Sequence, residues 1–317
     1  MKMLNLSVLV GLLAVPASAC DLCMCKICPA QPEGGGFTSG FTVGVAEQFT
    51  HFGTTQIDGR KVSNESGQFL DSSISQLFVA YRFSERFGLQ FNVPIIQRSF
   101  QRPEGFEMDR GAESGIGDVS VLGRFQLWQR RTESFSFAWD VVGGLKLPTG
   151  KTDRLREELN ETKVEGAPAS GIHGHDLTLG SGSVDGIIGT QVYGRWQRVF
   201  ASASVHYNLR STGDIDYRFA NDLTWSGGPG FYLTRDDNFT AGLQFIVSGE
   251  NKGRDTFRGE TADDTGVTSV FLGPQLNFAW KQKLNAEVGF EMPVYLHNTA
   301  FQTVPDYRIR AALAWHF

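Results

Sequence analysis

After its first twenty residues the chain lacks any run close to the ~20 apolar residues a membrane helix needs. Helical spans are therefore excluded, but a barrel strand needs only ~10 residues of alternating type, and that remains open. Cysteine is nearly absent. Its four copies fall at Cys20, Cys23, Cys25 and Cys28, and no residue after Cys28 is cysteine. A disulfide framework for the whole chain is excluded, and the cluster is a local device. A surplus of basic charge is also missing: the formal net charge is −5, which gives no reason to expect nucleic acid as a partner. No nucleophile paired with a base on the lipid face is read at His51, His206 or His316, so no catalytic site is expected.

What is present is glycine, phenylalanine and alternation. The 317 residues include 37 Gly and 25 Phe with 41% hydrophobic residues, a mixture that suits an all-β chain with many turns. Met1 to Ala19 reads as a signal peptide. Lys2 supplies a positive start, Leu6 to Val15 an apolar core, and Ala17-Ser18-Ala19 a small-x-small cleavage pattern. Residues 20–36 form a cysteine-rich tail and a Pro/Gly linker, and 37–317 a single barrel domain.

The closing stretch carries the pattern most plainly. Tyr307, Ile309, Ala311, Leu313, Trp315 and Phe317 fall on one parity, while Arg308, Arg310, Ala312, Ala314 and His316 fall on the other. A strand sends alternate side chains to opposite faces, so one face is apolar with aromatics at its ends and the other carries two arginines. A soluble sandwich strand can show the same alternation, but the better fit is the closing strand of an antiparallel transmembrane β-barrel, and Phe317 resembles the terminal aromatic that bacterial barrel-assembly machinery reads.

About twelve such strands are expected, near 37–52, 72–83, 87–100, 115–128, 135–147, 184–196, 199–209, 217–233, 239–247, 270–280, 284–296 and 307–317. Short turns (84–86, 129–132, 197–198, 235–238, 281–283) alternate with long links (53–67, 101–113, 148–182, 211–216, 248–265, 298–305). The barrel pattern puts short turns in the periplasm and long loops outside. The parity opposite the apolar one carries Arg82, Arg98, Arg124, Asp140, Lys146, Arg195, Glu287, Glu291, Arg308 and Arg310, with Asp118 and Asp185. Facing lipid at mid-depth, each basic side chain would cost about 2–4 kcal/mol, so these residues are assigned to the lumen. They form either a salt-bridged network that stiffens the barrel or a polar pathway for a solute.

Several glycine-rich motifs recur in order: Gly115-Ile116-Gly117-Asp118, Lys146-Leu147-Pro148-Thr149-Gly150, and Leu179-Gly180-Ser181-Gly182-Ser183-Val184-Asp185. Glu291-Met292-Pro293-Val294-Tyr295 and Asp306-Tyr307-Arg308-Ile309-Arg310 follow. In these motifs the chain resembles the outer-membrane barrels grouped as the meta-pathway phenol degradation family, often labelled transporters. The resemblance implies an outer-membrane barrel that passes small compounds, with aromatic ones as one candidate class. It implies no catalytic residue, and phenol is not carried over as the ligand.

Two constellations can carry chemistry of their own. Cys20-x-x-Cys23-x-Cys25-x-x-Cys28 presents four thiols able to hold Cu(I) or Zn²⁺, to cycle as a redox group, or to close into two disulfides; lipidation at Cys20 is a further alternative. His173-x-His175-Asp176, in the longest loop, offers two imidazoles and a carboxylate to a borderline metal, or forms a solvated turn. Residues 155–163 suit a short loop helix.

The reading is an outer-membrane channel or transporter for a small, aromatic or hydrophobic solute. Its partners are outer-membrane lipid and lipopolysaccharide. The alternative is a non-conducting barrel that anchors the cysteine cluster as a metal-binding or electron-transfer module.

Overall fold

A computed structural model describes residues 40–159, 164–236, 238–281 and 283–317. Twelve antiparallel strands form one sheet that closes on itself. They are β1 (Gly40–Ile57), β2 (Phe69–Arg82), β3 (Phe87–Glu104), β4 (Glu107–Ile116 and Ser120–Arg131), β5 (Phe135–Lys146) and β6 (Asp185–Trp196). They continue with β7 (Val199–Leu209), β8 (Asp222–Arg235), β9 (Phe239–Lys252), β10 (Val267–Trp280), β11 (Leu284–Asn298) and β12 (Phe301–His316). Each strand pairs with its neighbours in sequence, and β12 returns to β1 in register from Thr42 opposite His316 to Ile57 opposite Phe301. Closure removes the unpaired edges that an open sheet would expose.

The alternation in sequence becomes two faces. Outward on β12, Ile309 and Leu313 are 41% and 47% exposed, whereas inward Arg308 and Ala314 are 2% and 3% exposed. The same inversion runs round the barrel. Val43, Val45, Leu77, Val79, Leu89 and Phe91 face out, and Gln48, Gln76, Asn92, Gln244 and Glu291 are buried inside. Apolar side chains turned outward and polar ones inward suit lipid outside and water within. At the short-turn end, rings cluster on the outer surface. Phe41 meets Tyr81 at 4.5 Å, Tyr81 meets Phe83 at 4.8 Å, and Trp280 meets Trp315 at 6.3 Å. They form one girdle, where amphipathic rings sit at a membrane interface.

The structure corrects three loop expectations. The links at 53–67, 101–113 and 298–305 are largely strand. β3 and β4 pair out to Glu104 opposite Glu107, β12 begins at Phe301 rather than near Tyr307, and β1 pairs with Arg60–Val62 across a turn at Asp58-Gly59. These segments are too polar to resemble lipid-facing strands, yet beyond the membrane a hairpin needs only backbone pairing and a suitable turn. Both Asp58 and Gly59 adopt positive φ (47° and 74°), as a tight two-residue hairpin turn requires. The expected strand from 217 is also shorter. Tyr217–Arg218 pairs with Thr256–Phe257 in a small separate sheet, and β8 begins at Asp222. Within β8, pairing to β9 lapses over Gly228 and Pro229, where a proline without an N–H falls beside a glycine at φ 151°.

Candidate functional site: the lumen and the loop that enters it

The connection between β5 and β6 turns inward, and the glycine motifs explain how. Asp118 sits in the break of β4. Its carboxylate accepts from Gly150 N (3.0 Å), Ser181 N (2.9 Å) and Ser181 Oγ (2.9 Å), and pairs with Lys146 Nζ. Thr149 Oγ1 donates to Gly117 O at 2.9 Å and accepts from Val119 N at 2.9 Å. Gly150 and Gly180 lie backbone to backbone: a Cβ on Gly180 would meet Gly150 O at 2.6 Å and Asp118 Oδ1 at 2.7 Å. Three motifs far apart in sequence thus form one clamp at the base of the loop. Lys146, 2.9 Å from Asp185, continues the clamp to Arg210, which reaches Asp185 at 3.0 Å and Asp222 at 2.5 Å. Arg210 and Asp222 were missed as site residues: Arg210 falls between the strand read to 209 and the loop read from 211, and Asp222 lies inside the strand read over 217–233.

Beyond the clamp the loop docks on the wall. Leu179 packs with Ala46, Ile74, Ile96 and Ala312, and Ile172 and Leu177 pack with Leu70 and Phe100. A 3-10 helix spans Asp153–Leu159, where a short helix is expected, and buries Leu155 against Tyr217 and Phe219. Polar ties add to this. Arg98 Nη1 donates to Asp176 O (2.5 Å) and Thr178 O (2.6 Å), Arg102 meets Glu157 at 2.6 Å, and Arg154 meets Glu113 at 2.7 Å.

His173, His175 and Asp176 lie in this docked segment, around the helical turn Gly174–Leu177. The imidazoles stack, with centroids 5.6 Å apart. His175 Nδ1 is 3.0 Å from Glu158 Oε1 and its Nε2 is 3.5 Å from Asp176, while His173 Nε2 is 3.3 Å from Asp264. Burial alone would push the His175 pKa down; Asp176 and Glu158 overcome it and raise the value to about 10. Burial likewise opposes ionisation of Glu158, but His175 holds its carboxyl down at about 2. The pair is an ion pair at neutral pH, and an imidazolium has no lone pair to offer a metal. Among the described residues no group of three or more His, Cys, Asp or Glu side chains is arranged to hold a metal ion.

Towards the short turns the lumen is open. A cavity of about 210 Å³ is lined by Arg82, Arg86, Arg124, Arg310, Asp140 and Glu287 together with apolar side chains such as Phe78, Leu122 and Ile246. The charged residues assigned to the lumen are engaged in several pairings at different places among the described residues. Arg124 pairs with Asp140, and Arg82 Nη2 donates to Gln126 Oε1 at 3.0 Å. Arg310 meets Glu291 at 3.1 Å, and Glu287 accepts from Gln275 Nε2 at 3.3 Å. Arg195 serves the turns instead, donating to the carbonyls of Glu133 and Gln197 at 3.2 Å. Arg308 lies 4.1 Å above the Phe271 ring, and Arg98, on β3, donates to carbonyls of the docked loop. A single network would need charges at one height, whereas tilted strands distribute them along the axis. Cys20, Cys23, Cys25 and Cys28 lie outside the described residues.

Comparison with solved structures places this architecture. The chain is similar to an outer membrane channel from Pseudomonas putida F1, at a TM-score of 0.63 and 15% identity over 92% of this chain and 100% of that one. The fold is that of the outer-membrane β-barrels. More remote likenesses include the KdgM porin (TM-score 0.38, 10% identity, 87% of this chain and 99% of that one). A Pseudomonas aeruginosa FadL homologue is also similar (TM-score 0.33, 10% identity, 87% and 89%). No family model matches the chain, and no curated protein matches it either.

Proposed function

We propose that this chain is an outer-membrane channel that passes a small solute passively, with the docked β5–β6 loop setting its bore. The observation that carries the reading is the cavity of about 210 Å³, lined by charged and apolar side chains together, inside a closed barrel with an apolar outer face. A barrel that only anchored a tail would need no such space. Twelve strands leave room for side chains plus a narrow path, not for a wide pore. In this reading the short turns and both termini face the periplasm, the apolar belt meets outer-membrane lipid, and the long loops meet lipopolysaccharide. Phe317 is the assembly signal. Membership of the phenol-pathway group and an aromatic solute belong to the same proposal, supported by the motifs that build the clamp.

The test is conductance of the purified full chain in a planar bilayer, with and without residues 20–28. Discrete steps are the expected result, and a silent barrel in both forms overturns the channel reading. The Cys20–Cys28 cluster is proposed separately to bind Cu(I) or Zn²⁺. Metal analysis of the two forms tests it, and equal metal content would remove the idea.

A further inference from the structure

One row of side chains crosses four neighbouring strands where the docked loop meets the wall. The pairing places Arg98 (β3) opposite Ser72 (β2), Ser72 opposite Thr50 (β1), and Thr50 opposite Arg308 (β12). All four face the lumen and are nearly sealed, with exposures of 3%, 2%, 1% and 2% in that order. Three strand spacings separate the ends of the row, about 14 Å.

The two hydroxyls in the middle are the unusual members. Thr50 Oγ1 and Ser72 Oγ are buried and have no hydrogen-bond partner among the described residues. A buried hydroxyl left unmatched costs about 1–3 kcal/mol. Two side by side between guanidinium groups therefore point to a ligand that supplies acceptors. Of the row, Ser72, Arg98 and Arg308 line a cavity of about 70 Å³ beneath the loop, which Lys252 also lines, while Thr50 lies beside Ser72 in the pairing and outside that lining. That volume suits a few waters or one small anion; a single water's share of the liquid is about 30 Å³.

The charge around the row favours the anion. Glu113, next to Arg98 in the pairing, is engaged by Arg154 at 2.7 Å. Glu291, next to Arg308, is engaged by Arg310 at 3.1 Å and by Ser248 Oγ. Arg98 is held by the loop carbonyls and Arg308 by the Phe271 ring, so both cations are already positioned. Among the described residues the carboxylate lining this cavity is Asp176, with His175 beside it. Two residues along β12, Arg310 lines the turn-side cavity, so one strand carries a guanidinium into each space.

We propose that Arg98, Ser72, Thr50 and Arg308 form a binding site for a small oxyanion, of phosphate, sulfate or short-carboxylate type. The hydroxyls donate to its oxygens, and the guanidinium groups balance its charge. The site deepens the channel reading and rests on it in one respect only: that an anion reaches this height through the lumen.

Isothermal titration of the purified full chain in detergent, with inorganic phosphate, sulfate, acetate and chloride in turn, tests the site without requiring conduction. Saturable binding of an oxyanion with little response to chloride is expected. The double variant Thr50→Val, Ser72→Ala removes only the hydroxyls. It is expected to weaken binding about tenfold, as the loss of two modest hydrogen bonds implies. Arg308→Gln is expected to weaken it further. Heat-dependent gel mobility shows whether each barrel is folded. Absence of saturable oxyanion binding by the folded wild type, or equal binding by the hydroxyl variant, overturns the site. Bilayer recording separates the two proposals. Steps without oxyanion binding leave the channel and remove the site. Binding without steps leaves the site and removes the channel.

Discussion

The two halves of the lumen share the same twelve strands and differ in what fills them. In the loop-side half, Ile172, Leu177 and Leu179 find apolar wall partners, and the clamp at Asp118 holds both ends of the loop. In the turn-side half, connections of a few residues cannot fold inward, and the arginine-lined cavity is left open. A polar lumen therefore does not by itself make a wide pore. The bore depends on whether a connection is long enough to enter, has apolar anchors, and meets small or apolar residues such as Ala46, Ile74 and Ala312 on the wall.

The difference can be tested most severely by removing residues 152–178 and joining the ends with two glycines. The barrel ladder does not depend on this segment, so heat-dependent gel mobility is expected to persist while unit conductance rises severalfold. Unchanged conductance would mean that the narrowest point lies elsewhere.

A point change tests the clamp. Asp118→Ala leaves Lys146 buried with less compensation and strips three donors of their acceptor. Breaking such a buried pair costs about 3–5 kcal/mol, read as a lower urea midpoint. Asp140→Ala in the open half is expected to cost clearly less, because its partner Arg124 has 33% of its side chain exposed. Equal costs would erase the contrast between the halves.

Leu179→Ala should act more locally. Loss of a buried leucine costs about 2–4 kcal/mol where the site cannot collapse. Hydrogen exchange is expected to speed up across 172–180 and to stay unchanged in β7 and β8.

The smallest effect is that of pH. The raised His175 pKa means that its contribution to loop docking is complete below about 6.5 and is lost as pH climbs through about 10. The lowered Glu158 pKa means that its contribution is complete above about 4.5 and is lost as pH falls through about 2. Docking is therefore strongest near pH 4.5–6.5 and weakens slowly on the alkaline side. Conductance that rises from pH 7 to pH 10.5 in the wild type, and not in the loop-deleted barrel, would show it.

Much of the barrel was legible in the sequence because lipid and water impose opposite demands on alternate residues. Ile309 and Leu313 against Arg308 and Arg310 state the two faces of β12 without any partner strand. The hairpins beyond the membrane were not legible. At Glu104–Glu107 and Asn298–Phe301 no lipid selects for apolar residues, so polar strand and polar loop look alike.

The candidate site divides in the same way. That Arg98, Arg124, Lys146, Arg308 and Arg310 sit inside followed from the cost of charge in lipid. Which of them meet did not, because height along the axis depends on register and tilt, neither of which is written locally. The motifs around Asp118, Gly150 and Gly180 could be read as turns, but only the folded chain brings them into one clamp. The sequence by itself determined a closed barrel with a polar interior, since alternation is a property of each strand alone. Only the tertiary structure decided that one loop docks inside that interior and that two unmatched hydroxyls lie between two arginines, since both depend on residues on different strands and loops meeting at one height.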